Sequence, residues 1–485
     1  MSTSRRLFPL DDLWSQAFTR MAGAPARTGN RIDLLRDATE NYPAWLEAIA
    51  SAHRWIHFES YIIHDDAIGR EFADALEAKA RSGVSVRLLY DWWGARTLRA
   101  NRLWRSLLTA GVDVRCFNPP RLDDPLASLS RDHRKMLGVD GRVAFVTGLC
   151  IGEDWAGNPR IGIEPWRDTG VQIEGPAVAD VERAFAETWA AAGQPVPPEE
   201  LPDVSAPIPG NSVTLRVIAG TPRLGNVYRL DQLIAAAAQR TLWLTDAYFV
   251  ATTPYVQALR AAALDGVDVR LLVPNSSDIP VLRAVSRAGY RPLLESGVRV
   301  FEWNGPMLHA KTAVADGRWG RVGSTNLNLA SWLGNWELDV AVEDRQFAAA
   351  MERMYENDLT HATEIVLSSR QRLGRIHDRT RRRRARGSAR RATAGAIGIG
   401  STLGAAISNH RTLGPAEARV LGFTGMLLLM LVVVALLWPW IVLMPGVVAA
   451  AWIGMAAIVK ALAMRRASPD SARTRVAPQR NQRIA

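Results

Sequence analysis

From Gly29 onward, short apolar runs alternate with longer amphipathic stretches, and each run has the length of a strand. Ile32 to Leu35 predicts a short strand, Ala44 to Ala52 a helix, and WIHFESYII, ending at Ile63, a buried strand. A helix over Ile68 to Ser82 leads into the strand VSVRLLYD, and GVDVRCF from Gly111 supplies another. Strands alternating with helices of this length imply an α/β sheet buried between helices. Residues 1–28 lack the pattern and are expected to form a loosely ordered lead-in.

The pattern then repeats. GQPVPPEELPDVSAPIPG, residues 193–210, is too proline-rich to continue a helix or a central strand and reads as a linker between residues 29–192 and 211–365. Beyond it, LWLTDAYFV around Tyr248 answers IHFESYII around Tyr61. GVDVRLLVP from Gly266 answers GVSVRLLYD from Gly83, and GVRVFEW from Gly297 answers GVDVRCF from Gly111, at offsets between 176 and 187 residues. This is an internal duplication, and a pseudo-twofold pair of α/β/α sandwich units can bring matched strands face to face across one cleft.

The duplicated elements carry candidate chemistry. His133, Lys135 and Asp140 form an H-x-K-x4-D pattern, repeated at His309, Lys311 and Asp316, and the second copy is followed by Gly323, Ser324 and Asn326. Locally this reads as a strand with a reactive histidine, a Gly-Arg turn, a second strand, and a glycine-serine corner whose backbone N–H groups can face an anion. An imidazole can attack phosphorus or move a proton, and a lysine two residues on shares its strand face and can hold a phosphate oxygen. Lysine is otherwise rare: only Lys79, Lys135, Lys311 and Lys460 occur among 59 basic residues, so the matched positions call for a compact cation and not a guanidinium fork. Alternation places Asp140 and Asp316 away from the histidine end of each hairpin, which favours a structural part for these two members of the signature.

The two motifs resemble those of the phospholipase D superfamily. The flanking text, including GNRIDLLRDATENYPAWLEAIASAHRWIHFESYII, PWRDTGVQIEGPAV and LHAKTAVADGRWGRVGSTNLN, is similar to bacterial cardiolipin synthases across roughly residues 29 to 345. The resemblance implies phosphatidyl transfer through a phosphohistidine, with His133 as nucleophile and His309 as acid and base, the symmetry of the repeat making the reverse assignment nearly as easy. Lys135, Lys311, Ser324 and Asn326 would neutralise phosphate oxygens. It also implies that Asp168 supports His133 and that Glu337 orients His309. Where the family has an asparagine at the first corner, this chain has Cys150, a poorer donor, with Thr147 and Gly148 ahead of it.

Charge changes the picture only when divided along the chain. From Arg370 onward there are 20 basic residues against 3 acidic, whereas the remainder has 39 against 45. A mildly acidic body does not favour a groove tracking a nucleic acid. RTRRRRARGSARR, within a basic and small-residue linker over 366–418, suits solvent or anionic headgroups, and residues 394–408 fit either a linker or a membrane-adsorbed helix. Val420 to Met444 and Val447 to Met464, joined at Pro445-Gly446, predict a transmembrane hairpin within 419–464, the alternative being a buried soluble hairpin. Arginines before it and in the 465–485 tail place both ends, and the catalytic body, on the cytoplasmic side of the inner membrane. The N-terminus lacks the apolar core of a secretory signal, and Cys116 and Cys150, far apart, suggest neither a disulfide framework nor a zinc site.

No cofactor or metal is expected, since no carboxylate cluster has metal spacing. The expected partners are the bilayer and its phospholipids, with phosphatidylglycerol as donor and a lipid alcohol as acceptor. Alternatives are a phospholipase yielding phosphatidic acid, a nuclease, or a membrane-tethered binding protein whose first site has degenerated at Cys150.

Overall fold

The computed structural model describes residues 10–95, 100–120, 130–203 and 207–367, with scattered positions between 426 and 458. In the first half the strands are β1 (Arg27–Arg36), β2 (Trp55–Ser60), β3 (Ser85–Asp91), β4 (Asp113–Phe117), β5 (Met136–Val139), β6 (Val143–Thr147) and β7 (Thr169–Glu174). The second half has β8 (Val213–Gly220), β9 (Thr241–Thr245), β10 (Asp268–Pro274), β11 (Arg299–Trp303), β12 (Thr312–Ala315), β13 (Trp319–Gly323), β14 (Glu337–Glu343) and β15 (Ala362–Ile365). They hydrogen-bond in the order β15-β11-β10-β9-β12-β13-β14-β8-β1-β7-β6-β5-β2-β3-β4. Outward from the central β8–β1 pair the two halves run in matching order, with β15 added at one edge. The duplication read from sequence is therefore a duplication of topology.

Local chemistry explains the elements. β2, β5, β12 and β13 are buried at every position, as expected for interior strands covered on both faces. β2, β3 and β4 pair in parallel, which requires crossovers, and the helices Ala67–Arg81 and Ala100–Thr109 supply them. Asp66 caps the first of these by accepting from the Gly69 N–H at 2.9 Å.

The β5–β6 and β12–β13 hairpins turn through Asp140-Gly141 and Asp316-Gly317, whose φ values of 56°, 65°, 54° and 62° define left-handed two-residue turns. The side chain of each aspartate then accepts from the backbone leading into a neighbouring strand. Asp140 takes the N–H groups of His53, Arg54 and Trp55 at 2.8–2.9 Å, and Asp316 those of Gln239, Arg240 and Thr241 at 2.7–2.9 Å.

One apolar cluster joins the halves. Phe185 and Trp189 on the helix Val178–Ala191, and Met351 and Tyr355 on the matching helix Arg345–Leu359, share it with strands of both units. Each such aromatic buried contributes on the order of 2–3 kcal/mol. Two further clusters fill the outer layer of each half.

Three expectations shift. Residues 10–22 form a helix packed by Phe18 on the second half's core, and β1 begins at Arg27. The helix expected from Ala44 starts at Asp37 with Pro43 inside it, its first turn held by Asn41 Nδ2 donating to the carbonyls of Leu35 and Asp37 at 3.1 and 2.8 Å. Residues 368–425 and 459–485 lie outside the described residues, and so do most positions of the hairpin expected over 419–464.

A second unit comprises Pro119–Leu129 and Leu421–Ala485. Its described positions between Met426 and Ile458 are helical, and Met426, Leu437, Trp440 and Met455 among them are exposed. Among the described residues no helix is long and apolar enough to cross a membrane.

Candidate functional site

His133 and His309 each lie just before the first strand of a hairpin, and each is held from the other half. The His133 N–H donates to the Trp336 carbonyl at 2.8 Å, and the Trp336 N–H donates to that of Arg131 at 2.8 Å. Across the pseudo-twofold, the His309 N–H donates to the Arg167 carbonyl at 2.7 Å, and the Arg167 N–H to that of Met307 at 2.9 Å. Each exchange sets the residue after Trp336 or Arg167, a carboxylate, beside the opposite histidine.

The carboxylates therefore cross over. His133 Nδ1 lies 2.9 Å from Glu337 Oε2, and His309 Nδ1 lies 2.7 Å from Asp168 Oδ2. This corrects the pairing that the sequence suggested, Asp168 with His133 and Glu337 with His309. Chain proximity favours neighbours within a half, whereas the exchanged bridges carry each carboxylate into the other one. With Nδ1 engaged by a carboxylate, Nε2 is the nitrogen left for chemistry. The Arg167 side chain pairs with Asp37 and Asp358 at 3.1 and 2.9 Å.

All six central groups are buried, and their charges act on one another across the halves. Burial lowers His133, and Lys135 and Lys311 add to this against the pull of Glu337. His309 is pushed down to about 3 by burial, then by Lys311, with Asp168 opposing. Lys311 is itself lowered to about 8 by burial. Burial works to raise Asp168 and Glu337, but their histidine partners and the nearby lysines outweigh it and hold both carboxyls below their usual range. Burial thus favours neutral imidazoles beside two carboxylates, and a bound phosphodiester anion would favour the imidazolium form.

Lys135 Nζ donates to the His133 carbonyl at 2.6 Å, and Lys311 Nζ lies 2.9 Å from His309 Nδ1. Ser324 Oγ donates to Glu337 Oε2 at 2.6 Å, so it acts first on the carboxylate. Asn326 is buried with its amide oxygen unpartnered, and rotation about its last torsion can turn Nδ2 toward an anion. Cys150, its counterpart, is buried close enough to feel Lys135 and Lys311, and burial raises its thiol. Asp140 and Asp316, though members of the signature, sit at the turns and bind backbone, away from the imidazoles.

Aromatic walls were not anticipated. Tyr61 lies 5.0 Å from the His133 ring, and Tyr248, Trp155 and Trp166 lie 6.0, 5.6 and 5.6 Å from His309. Tyr61 and Tyr248 occupy matched positions in the repeat, and that match was the available signal. The buried carboxyls Glu59 and Asp132 were also missed. Burial raises both, mutual repulsion raises Asp132 further, and together they form a protonatable pair next to His133.

Residues 45–189 and 230–359 match the family model described as cardiolipin synthase, PLD-like domain. The chain is 34% identical over 357 residues to cardiolipin synthase A of Pseudomonas fluorescens, covering 72% of this chain and 73% of that one, and the figures for the Pseudomonas putida protein of the same name are the same. A crystal structure of phosphatidylserine synthase from Haemophilus influenzae superposes with a TM-score of 0.57 at 14% identity, covering 76% of this chain and 97% of that one, a likeness of fold. With two matched domains, a duplicated His-Lys-Asp hairpin and relatives aligned over most of their length, the chain belongs to the cardiolipin synthase family of phospholipase D-like proteins.

Proposed function

We propose that the protein transfers a phosphatidyl group from phosphatidylglycerol to a lipid alcohol, making cardiolipin or a close relative. The observation that carries this reading is the crossed pair of imidazoles, each held by a carboxylate of the opposite half and each within reach of the other half's lysine. His133 Nε2 attacks phosphorus while His309 gives its proton to the departing glycerol oxygen. The acceptor hydroxyl then loses its proton to His309 and displaces His133 from phosphorus. Lys135, Lys311 and Asn326 neutralise the non-bridging oxygens, and Ser324 holds Glu337 in place.

The acid role requires that the bound phosphodiester anion raise His309 above that low value. Neither step calls on a metal. The helical, exposed apolar positions between 426 and 458, and the long apolar runs around them, support a membrane hairpin with the body at the cytoplasmic face of the inner membrane.

Purified protein in phosphatidylglycerol vesicles tests the reading. Cardiolipin and free glycerol should form in equal amounts, and both should vanish in His133→Ala and His309→Ala. Phosphatidic acid alone would assign the protein as a hydrolase, and no lipid product at all would overturn the proposal.

A further inference from the structure

Three loops each carry one large apolar side chain exposed to solvent, and each is fastened to a ring beside a site histidine. Trp93 is 53% exposed in the loop after β3. There Asp91 Oδ1 accepts from the N–H groups of Trp93 and Gly94, and Gly94 sits so close that a Cβ would come within 2.1 Å of the Tyr61 carbonyl oxygen. Ile279, 43% exposed, follows β10 and adjoins Asp278, which accepts from Tyr248 Oη at 2.8 Å.

Ile161 is 66% exposed at the tip of a narrow finger. The finger closes through Asn158 and Ile163, whose N–H groups each donate to the other's carbonyl at 2.8 and 3.0 Å, and it returns to Trp166 on His309. The duplication supplies a reference for this element. Asn326 is eleven positions from Glu337, but Cys150 is eighteen from Asp168, and the finger lies within the longer interval. One half has added an apolar projection beside its histidine.

We propose that Trp93, Ile161 and Ile279 form a lip that enters the surface of an anionic phospholipid bilayer and seats the site on it. This rests on the phosphatidyl substrate proposed above. Only a glycerol backbone separates the reacting phosphorus from two acyl chains, so a protein that leaves those chains in the bilayer must bring its site to the membrane surface. Apolar side chains on several loops enter the headgroup and acyl boundary, and Arg160, exposed next to Ile161, offers charge to anionic headgroups. Single exposed apolar residues are common. What selects these three is their attachment to the rings around the histidines. Leu108 and Leu264, 55% and 59% exposed, lie at the ends of helices that lead into the N-termini of β4 and β10, the end of these parallel strands opposite to Trp93 and Ile279, and so provide controls.

The test places an environment-sensitive fluorophore on full-length protein in phosphatidylglycerol vesicles through Trp93→Cys, Ile161→Cys or Ile279→Cys, with Leu108→Cys and Leu264→Cys as controls and the unsubstituted chain as background. Nitroxide-bearing lipid should quench the three lip labels at least about twofold more than the controls, at every protein-to-lipid ratio. Equal quenching at lip and control positions overturns the proposal, as does shielding of the lip that lipid quenchers do not reach, which would mark a protein partner. In a second arm, Ile161→Asp should lower turnover of long-chain substrate in vesicles about tenfold and leave a dispersed short-chain substrate unaffected. Equal loss on both would place the finger in the geometry of His309 and overturn the proposal. If unsubstituted protein turns over neither substrate, the functional reading fails, and the quenching pattern still decides the lip.

Discussion

At His133 the supporting carboxylate is Glu337, with Ser324 Oγ donating to it at 2.6 Å; at His309 it is Asp168, one methylene shorter, with Gly148 where the serine would stand. A Cβ on Gly148 would lie 2.2 Å from Asp168 Oδ1, so the shorter acid occupies the space that the missing side chain leaves. Trp155 Nε1 and the Thr169 N–H, at 3.2 and 2.8 Å from Asp168, supply the donors that Ser324 gives Glu337. The repeat has thus kept the geometry of an imidazole backed by a buried carboxylate while exchanging the residues that build it. What the comparison teaches is that carboxylate length and corner residue are one choice, made once in each half.

Separating the two supports should produce the largest effect. Glu337→Gln and Asp168→Asn should each lower kcat by on the order of 10² to 10⁴-fold, since each removes the charge that fixes a tautomer and stabilises an imidazolium. Because the supports cross over, nitrogen-15 spectra of the imidazoles should show Glu337→Gln altering His133 and Asp168→Asn altering His309. The opposite pattern would restore the pairing suggested by sequence.

Placing the second half's corner residue in the first should be milder on stability and still harmful. Gly148→Ser forces its Cβ against Asp168, which is buried and held on three sides, and should cost about 1–3 kcal/mol of stability with a visible drop in Tm. The same variant paired with Asp168→Gly should recover the stability but not the activity. If Gly148→Ser alone leaves melting and turnover unchanged, the linkage between acid length and corner residue is wrong.

The smallest change should come from Cys150→Asn. The thiol is buried near both lysines without a hydrogen-bond part in the histidine supports, so turnover should move by no more than a few-fold. A loss of a hundredfold would mean that the cysteine has a direct part in holding the phosphate.

Sequence pattern went far here because the chain repeats it. His133 and His309, the alternation of strands and helices, and the duplication all followed from matched text. The structural part of Asp140 and Asp316 was legible too, because period-two alternation carries them away from the histidines and Asp-Gly suits a left-handed hairpin turn. The crossing of Asp168 and Glu337 was not legible. It depends on four backbone hydrogen bonds between halves, and local spacing carries no information about such long-range pairing. Glu59 and Asp132 were hidden for a related reason: their importance lies in facing each other in the core, and neither stands in a motif. Helix Leu10–Ala22 was passed over because its single apolar stripe is weak alone and becomes effective only against the second half.

The central claim is that both imidazoles work on one phosphorus atom, with His133 bonded to it. Its most direct test is to quench turnover of phosphatidylglycerol with acid-labile phosphorus labelling and to map the label on peptides by mass spectrometry. A phosphoramidate should be found on His133, be absent in His133→Ala, and build up in His309→Ala when the substrate carries a leaving group that needs no proton. Label on both histidines independently, each surviving loss of the other, would contradict the account.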